Sequence, residues 1–261
     1  MMLPQGNAPD VVQHPDLIFD LGANHGEDTA FYLAKGFRVV AVEADPHLAR
    51  ELEQVFRQPI AAGRCTIVAA GLLDRPGVMP FYRNIDCDHW SSFDAAYGTR
   101  DGTRFETLPI SCGTVLDLFA QYGLPHYMKI DLEGADQIVL RTLQRTASRP
   151  RFLSVEEFGH GSLPLLRSLG YTRFSLRPQK DKSWAVPPRP PREGRFVDRT
   201  STGRDSGLFG REVGGWKSYD VSLQDYERVV RSAEGAWLPQ PGEWYDIHAA
   251  IWPSRLDDDP L

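Results

Sequence analysis

The chain has 261 residues, enough for one large α/β domain with its own core. Hydrophobic residues make up 41 % and charged residues 25 %, an ordinary globular balance, and no apolar run approaches the roughly 20 residues that cross a bilayer, which excludes a membrane span. The formal net charge of -6 weighs against a dedicated nucleic-acid binder; the three cysteines form no Cys-x-x-Cys pair, so neither a zinc site nor a disulfide framework is expected, and a cytoplasmic location is.

Residues 1–16 contain Asn7, Pro9, Asp10 and Asp16 without an apolar segment and read as a loose leader. Leu17–Leu21 is a first strand, and a loop with Gly22 and Gly26 leads into a helix over 28–35 that Gly36 ends. Arg38–Val42 is a second, β-branched strand closing on Glu43, and Pro46 opens a helix over 47–57. A third strand spans 66–70. Val78–Tyr82 and Leu108–Cys112 are expected to pair outside the strand-helix alternation, and a short helix over 114–122 stops at Gly123. The fourth strand is 127–131 with a helix over 135–145, the fifth is 152–156 with a helix over 163–169, and the sixth is 171–176. Residues 177–217 then break the pattern with ten Lys/Arg against five Asp/Glu and a proline-rich run. A helix over 222–234 and a closing strand over 244–252 follow. The expected organisation is a core over 17–176, a basic insertion over 177–240, and a closing strand with a tail over 241–261. Such alternation implies a doubly wound, mostly parallel sheet with helices on both faces.

Ligands of such sheets bind at the carboxyl ends of the strands. Asp20, Glu43, Asp131 and Glu156 each end a predicted strand, which puts four acids on one rim. The first loop reads Gly-x-x-x-Gly after an acid, not the Gly-x-Gly-x-x-Gly that lets backbone amides approach a pyrophosphate. A carboxylate at Asp20 would repel a diphosphate and suit a ligand with a positive amino group. Glu43 is placed to accept hydrogen bonds from ribose hydroxyls, and Asn24 offers a donor and an acceptor in the loop. His25 and His89 are loop histidines within reach of the same rim.

Three stretches, Asp-Leu-Gly-Ala-Asn-His-Gly-Glu-Asp-Thr (20–29), Val-Val-Ala-Val-Glu-Ala-Asp-Pro (39–46) and Met-Lys-Ile-Asp-Leu-Glu-Gly-Ala-Asp (128–136), resemble the FkbM family of S-adenosylmethionine-dependent methyltransferases. The resemblance runs in order to about Glu157; Ser206–Gly210, Trp216 and Trp244–Ala249 are similar to longer members. It implies a seven-stranded, Rossmann-like methyltransferase sheet whose last strand runs antiparallel, with S-adenosylmethionine as cofactor. Transferred by position, Asp20, Gly22, Ala23, Asn24, Gly26, Thr29, Glu43, Ala44 and Asp131 would hold the cofactor, with Gly71 and Leu72 near the adenine. Ala44 and Asp136 depart from the residues common there.

Methyl transfer to a hydroxyl needs alignment and removal of a proton. Lys129 and Asp131 project from the same side of the fourth strand. Asp131 is the expected base, or with Glu156 a ligand of a divalent cation such as magnesium; Lys129 would stabilise an alkoxide. Glu157 and His160 are further catalytic candidates, and Glu133 is placed to cap the helix near Ala135. The insertion is read as a lid presenting Arg177, Lys180, Lys182, Arg204 and Arg211 to an anionic acceptor. The expected activity is O-methylation of a sugar, glycan or secondary metabolite. The alternatives are N-methylation of a small amine or peptide, or a catalytically silent cofactor-binding partner subunit. A homodimer is compatible with the sequence, which does not fix the oligomeric state.

Overall fold

The computed structural model describes residues 11–252. The expected leader therefore lies outside the described residues up to residue 10, as does the tail from residue 253. In chain order the elements are β1 (Gln13–Leu21), α1 (Glu27–Ala34), β2 (Arg38–Glu43), α2 (Pro46–Val55), α3 (Arg57–Ala61), β3 (Cys65–Ala69), β4 (Gly71–Leu72), β5 (Gly77–Asn84) and α4 (Ala95–Gly98). They continue with β6 (Phe105–Gly113), α5 (Val115–Tyr122), β7 (Leu124–Ile130), α6 (Asp136–Leu143), β8 (Phe152–Glu156), α7 (Ser162–Ser168), β9 (Arg173–Pro178), α8 (Tyr219–Val229) and β10 (Tyr245–Ala250).

Seven strands form one sheet in the order β3-β2-β1-β7-β8-β10-β9. The pairs from β3 through β8 are parallel, and β10 runs antiparallel to both its neighbours. Strand order reverses between β1 and β7, so the loops after these two strands open a crevice at their carboxyl ends. The central strand β7 is buried along its whole length, as expected of a strand covered on both faces. Its residues alternate between two cores. Met128 and Ile130 face α5 to α8, where Phe119, Leu140, Leu166 and Tyr226 pack. Tyr127 faces α1 and α2, with Phe31, Leu52 and Phe56.

Local chemistry sets the helix starts. Asp45 accepts the His47 amide at 2.7 Å ahead of Pro46, and Thr114 and Asp117 form a reciprocal capping box at α5. The expected pairing outside the alternation is present: β5 and β6 are antiparallel, with Val78 opposite Ser111 and Tyr82 opposite Thr107. With β4 they make a separate three-stranded sheet.

The segment between β9 and α8 differs from the expected lid. It runs across the α1 face of the main sheet and supplies that face's missing cover. Leu208 and Phe209 are buried, and Phe209 meets Phe31, Tyr32, Phe37 and Tyr127 at ring separations of 6.0, 5.0, 5.4 and 5.1 Å. Two buried ion pairs pin it: Lys35–Glu212 at 2.8 Å and His126–Glu193 at 3.0 Å. Its apolar residues are spread among prolines and bases, so they fill a core layer without forming a helix or strand.

Candidate active site

Two glycine-dependent contacts shape the crevice. Gly22 follows β1 with φ +82°, and a Cβ there would stand 1.8 Å from the Asp131 carbonyl oxygen. Only a glycine lets the loop after β1 pass so close to the end of β7. The Gly22 and Ala23 amides both donate to the Val42 carbonyl at 3.0 Å. Asn24, also left-handed at φ +47°, then turns its amide onto Glu43 Oε2 at 2.8 Å. Glu43 Oε1 takes the Asp45 amide at 2.8 Å. Burial pushes the Glu43 carboxyl up to about 7 against these two backbone bonds.

Glu43 forms part of the wall of a cavity at the carboxyl ends of β1, β2 and β7. One part of the wall is apolar, from Val42, Leu48, Leu72, Phe81, Phe93 and Ala135. Among the described residues the charged lining consists of Glu43, Asp88, Asp131 and Glu133, with His89 beside them and no lysine or arginine. Phe93 is fitted to Gly71, where a Cβ would come within 2.2 Å of its ring. The segment carrying Asp88 is tied down on both sides: His25 Nε2 meets Asp88 Oδ2 at 2.8 Å, and Ser92 Oγ donates to the Glu133 carbonyl at 2.6 Å.

Behind the cavity lies a buried charge network. Lys129 Nζ is within 3.4 Å of Asp20, 3.6 Å of Asp28 and 3.3 Å of Asp131, and donates to the Gly22 carbonyl at 3.1 Å. Burial alone would lower the Lys129 pKa; the three carboxylates hold it well above its ordinary value. Asp28 also accepts the Ser206 amide on both oxygens at 3.0 Å, which couples the insertion to the network. Glu133 has a left-handed backbone, φ +47°, and its carboxylate meets Arg100 at 3.1 Å. Burial, then the charge of Asp131, pushes it up to about 8.

Seven expected cofactor residues line the cavity: Gly22, Asn24, Glu43, Ala44, Gly71, Leu72 and Asp131. Ala23, Gly26 and Thr29 support it from behind; Gly26 packs against Leu52 and Phe56, and Thr29 Oγ1 donates to Asp20 at 2.6 Å. Asp20 is fully buried, its charge facing Lys129, so it does not offer the cavity the free carboxylate expected of it. Lys129 is likewise enclosed and absent from the cavity wall.

Glu157 and His160 are not brought to the cavity. Glu157 anchors the opposite face, bound by Arg231 at 2.9 Å and by the Tyr226 hydroxyl, and His160 packs edge-on against Tyr226. Glu133 does not cap α6. The start of α6 carries no side-chain cap; Asp136, its first residue, instead accepts the Leu132 and Gly134 amides of the preceding loop at 3.1 Å, and the left-handed turn at Glu133 carries that side chain away. Of the five bases read as a lid, Arg177 donates to the Val213 carbonyl and Arg211 pairs with Glu193. Lys180 and Arg204 are exposed, Lys182 bonds Gln179, and none of the five lines the cavity. Sequence reasoning missed Asp88, Ser91, Phe81 and Phe93. The available signal was the hairpin outside the alternation, whose intervening segment must return to the sheet.

The family model described as methyltransferase FkbM domain matches residues 20–172, and the chain belongs to that family. The family implies use of S-adenosylmethionine. Among solved structures the chain is similar to a methyltransferase FkbM from Methylobacillus flagellatus KT, with 18% identity, TM-score 0.44, and coverage of 64% of this chain and 40% of that one. It is also similar to a precorrin-6y C5,15-methyltransferase from Geobacter metallireducens GS-15, with 14% identity, TM-score 0.37, and coverage of 93% and 82%. A putative sarcosine dimethylglycine methyltransferase from Galdieria sulphuraria gives 14% identity, TM-score 0.37, and coverage of 92% and 78%. This chain thus spans less than half of the M. flagellatus protein. No curated protein matches the chain.

Proposed function

We propose that this chain is an S-adenosylmethionine-dependent O-methyltransferase acting on a hydroxyl of a sugar, glycan or secondary metabolite. The observation that carries this reading is the lining of the cavity by the described residues: four carboxylates, no lysine or arginine, and an apolar wall. A dinucleotide would set its pyrophosphate against those acids. An adenosine bearing a cationic tail fits them. Glu43, with one backbone bond on each oxygen, keeps lone pairs for two ribose hydroxyls. Leu48, Leu72, Phe81 and Phe93 would enclose the purine. Asp131 and Glu133 would face the positive end. When bound, the cofactor supplies an electrophilic methyl group on a positively charged sulfur.

The chain's own residues then handle the proton. A general base works best with a pKa near the working pH, and Glu133 at about 8 meets that condition. Arg100 holds its carboxylate in place, and Lys129 holds Asp131 next to it. Lys129 acts through Asp131 and the Gly22 carbonyl, as a positioning residue. The acceptor class rests on the family resemblance, and the basic residues of the insertion lend no support to an anionic acceptor.

The test is methyl release on a panel of hydroxyl and amine acceptors between pH 6 and 9. Turnover on hydroxyls that climbs as Glu133 loses its proton near pH 8 is expected. Turnover confined to amines, or tight cofactor binding with no turnover on any acceptor, would overturn the reading.

A further inference from the structure

The crevice is crossed by a segment with no part in the proton chemistry. Residues 85–93 leave the end of β5 and place Asp88, His89, Ser91 and Phe93 in the cavity wall. One end of this segment is firmly held. Ser92 is 2% exposed, shares two backbone hydrogen bonds with Tyr82 at 2.8 and 3.1 Å, and gives its hydroxyl to the Glu133 carbonyl after β7. The tip is held from the other side. Asp88 Oδ2 meets Nε2 of His25, which belongs to the loop after β1, at 2.8 Å. The segment is thus a strap joined to both loops that flank the crevice. Among the described residues, His25 is its one hydrogen-bonded link to the β1 loop.

His25 is placed to carry a charge there. Its Nδ1 stands 3.3 Å from Glu51 of α2 while Nε2 stands on Asp88. A neutral imidazole has one N–H and serves one of the two carboxylates; the imidazolium has two and serves both. Partial burial pulls the His25 pKa down, but the bonds to Asp88 and Glu51 outweigh it and hold it above the ordinary 6.5. Among the described residues these two carboxylates are the charged groups facing the ring, and His89 Nδ1 approaches the other oxygen of Asp88 at 3.5 Å. The ring is also tied to the cavity wall through the backbone. Asn24, whose own amide is fixed by Glu43, accepts the His25 amide at 2.9 Å.

The two ends of the strap differ in how readily they part. The Ser92 end is buried and paired along the backbone. At the other end His25 and Asp88 have side chains 40% and 39% exposed, where an ion pair is weak. The strap can open at its His25 end without disturbing its base.

We propose that His25 is a positioning residue: through Asp88 it latches the strap across the crevice, and S-adenosylmethionine and its product pass when this end lets go. The latch itself does not depend on the methyl-donor reading; its use for that ligand does. The sign of its pH response follows from the donor count. The charged ring holds both carboxylates at low pH, and the latch loosens as pH rises through the His25 ionisation.

Release of labelled S-adenosylhomocysteine from the purified full chain, chased with unlabelled ligand between pH 5.5 and 9, tests the latch in wild type and His25→Ala. At pH 5.5 the variant is expected to release about two- to fivefold faster, the effect of losing a half-exposed ion pair. The ratio of the two rates should fall towards one as His25 loses its proton. Glu43 and Glu133 also titrate in this interval, but both proteins contain them, so the ratio isolates His25. In a Glu51→Gln background, which keeps the histidine and removes one of its carboxylates, the ratio should fall at a lower pH. A ratio of one throughout, or a raised ratio that does not change with pH, would overturn the latch. Hydrogen exchange of the strap in the ligand-free chain needs no methyl donor. Amides 88–91 should exchange faster in His25→Ala than in wild type at pH 6 and nearly alike at pH 8.5; equal exchange at both would also overturn the latch. Faster strap exchange in the variant of a chain that binds no S-adenosylhomocysteine would instead refute the methyl-donor reading and leave the latch standing.

Discussion

Glu43 is the residue on which the cavity's ligand selection turns. Its carboxylate is fixed by the Asn24 and Asp45 amides and still faces the cavity. Hydrogen bonds to a charged acceptor contribute about 1.5–3 kcal/mol, so Glu43→Gln is expected to weaken S-adenosylhomocysteine affinity by roughly ten- to a hundredfold, read by calorimetry. Asp131→Asn and Glu133→Gln act on the proton instead. Each should lower turnover by about 10²–10⁴-fold, well beyond the loss of cofactor affinity that removing a charge facing its cationic end brings; a loss of affinity that accounts for the whole effect would show them to be binding residues only. The acids at the strand ends were legible because each closes an apolar run. Which of them faces the ligand was not. Asp20 and Glu43 look alike in sequence, but Asp20 is claimed by Lys129 of β7 and Thr29 of α1, pairings made only by the fold. Glu133 was misread for a related reason: its left-handed backbone and its Arg100 partner depend on a distant hairpin.

At the scale of elements, the insertion is a structural layer. Lys35 and Glu212 are fully enclosed, and Glu212 also accepts the Arg192 amide at 3.0 Å. Removing one partner of a buried pair typically costs about 3–5 kcal/mol. Lys35→Met should therefore destabilise the whole protein by that amount, in a single cooperative transition in urea. A separate early transition, with the sheet intact, would mean that the insertion is only loosely attached. Phe209→Ala should cost a similar amount, about 3–5 kcal/mol, by opening a cavity among Phe31, Tyr32, Phe37 and Tyr127. The strand-helix alternation was legible up to β9 because its apolar runs have regular periods. The insertion was not, because Trp184, Leu208, Phe209 and Trp216 follow no period, and their common target is a sheet face visible only in three dimensions.

Across the whole molecule, buried acids set the response to pH. Burial raises Glu43 and Asp246 to about 7 and Glu133 to about 8, while burial and neighbouring carboxylates raise Glu156 to about 10. Above the ordinary carboxylate range the unfolded chain has released these protons and the folded chain still holds them. The folded state then binds more protons, so stability falls as pH rises. The ligand-free protein should melt several degrees lower at pH 8.5 than at pH 6, a shift on the order of 1 kcal/mol or more for a chain of this size. A melting temperature that rises over the same interval would contradict this charge distribution. His248, held neutral by burial and pushed down to about 3, acts in the opposite sense and removes stability as pH falls below its ordinary 6.5.

The central claim is that the acid-lined cavity between the β1 and β7 loops takes a sulfonium nucleoside and rejects a dinucleotide. Calorimetric titration of the purified chain with S-adenosylmethionine and with NAD tests it most directly. Saturable one-to-one binding of S-adenosylmethionine, lost in Gly22→Ala and weakened in Glu43→Gln, with no binding of NAD, is the predicted result. Binding of NAD at comparable affinity, or S-adenosylmethionine binding that Glu43→Gln leaves unchanged, would contradict it.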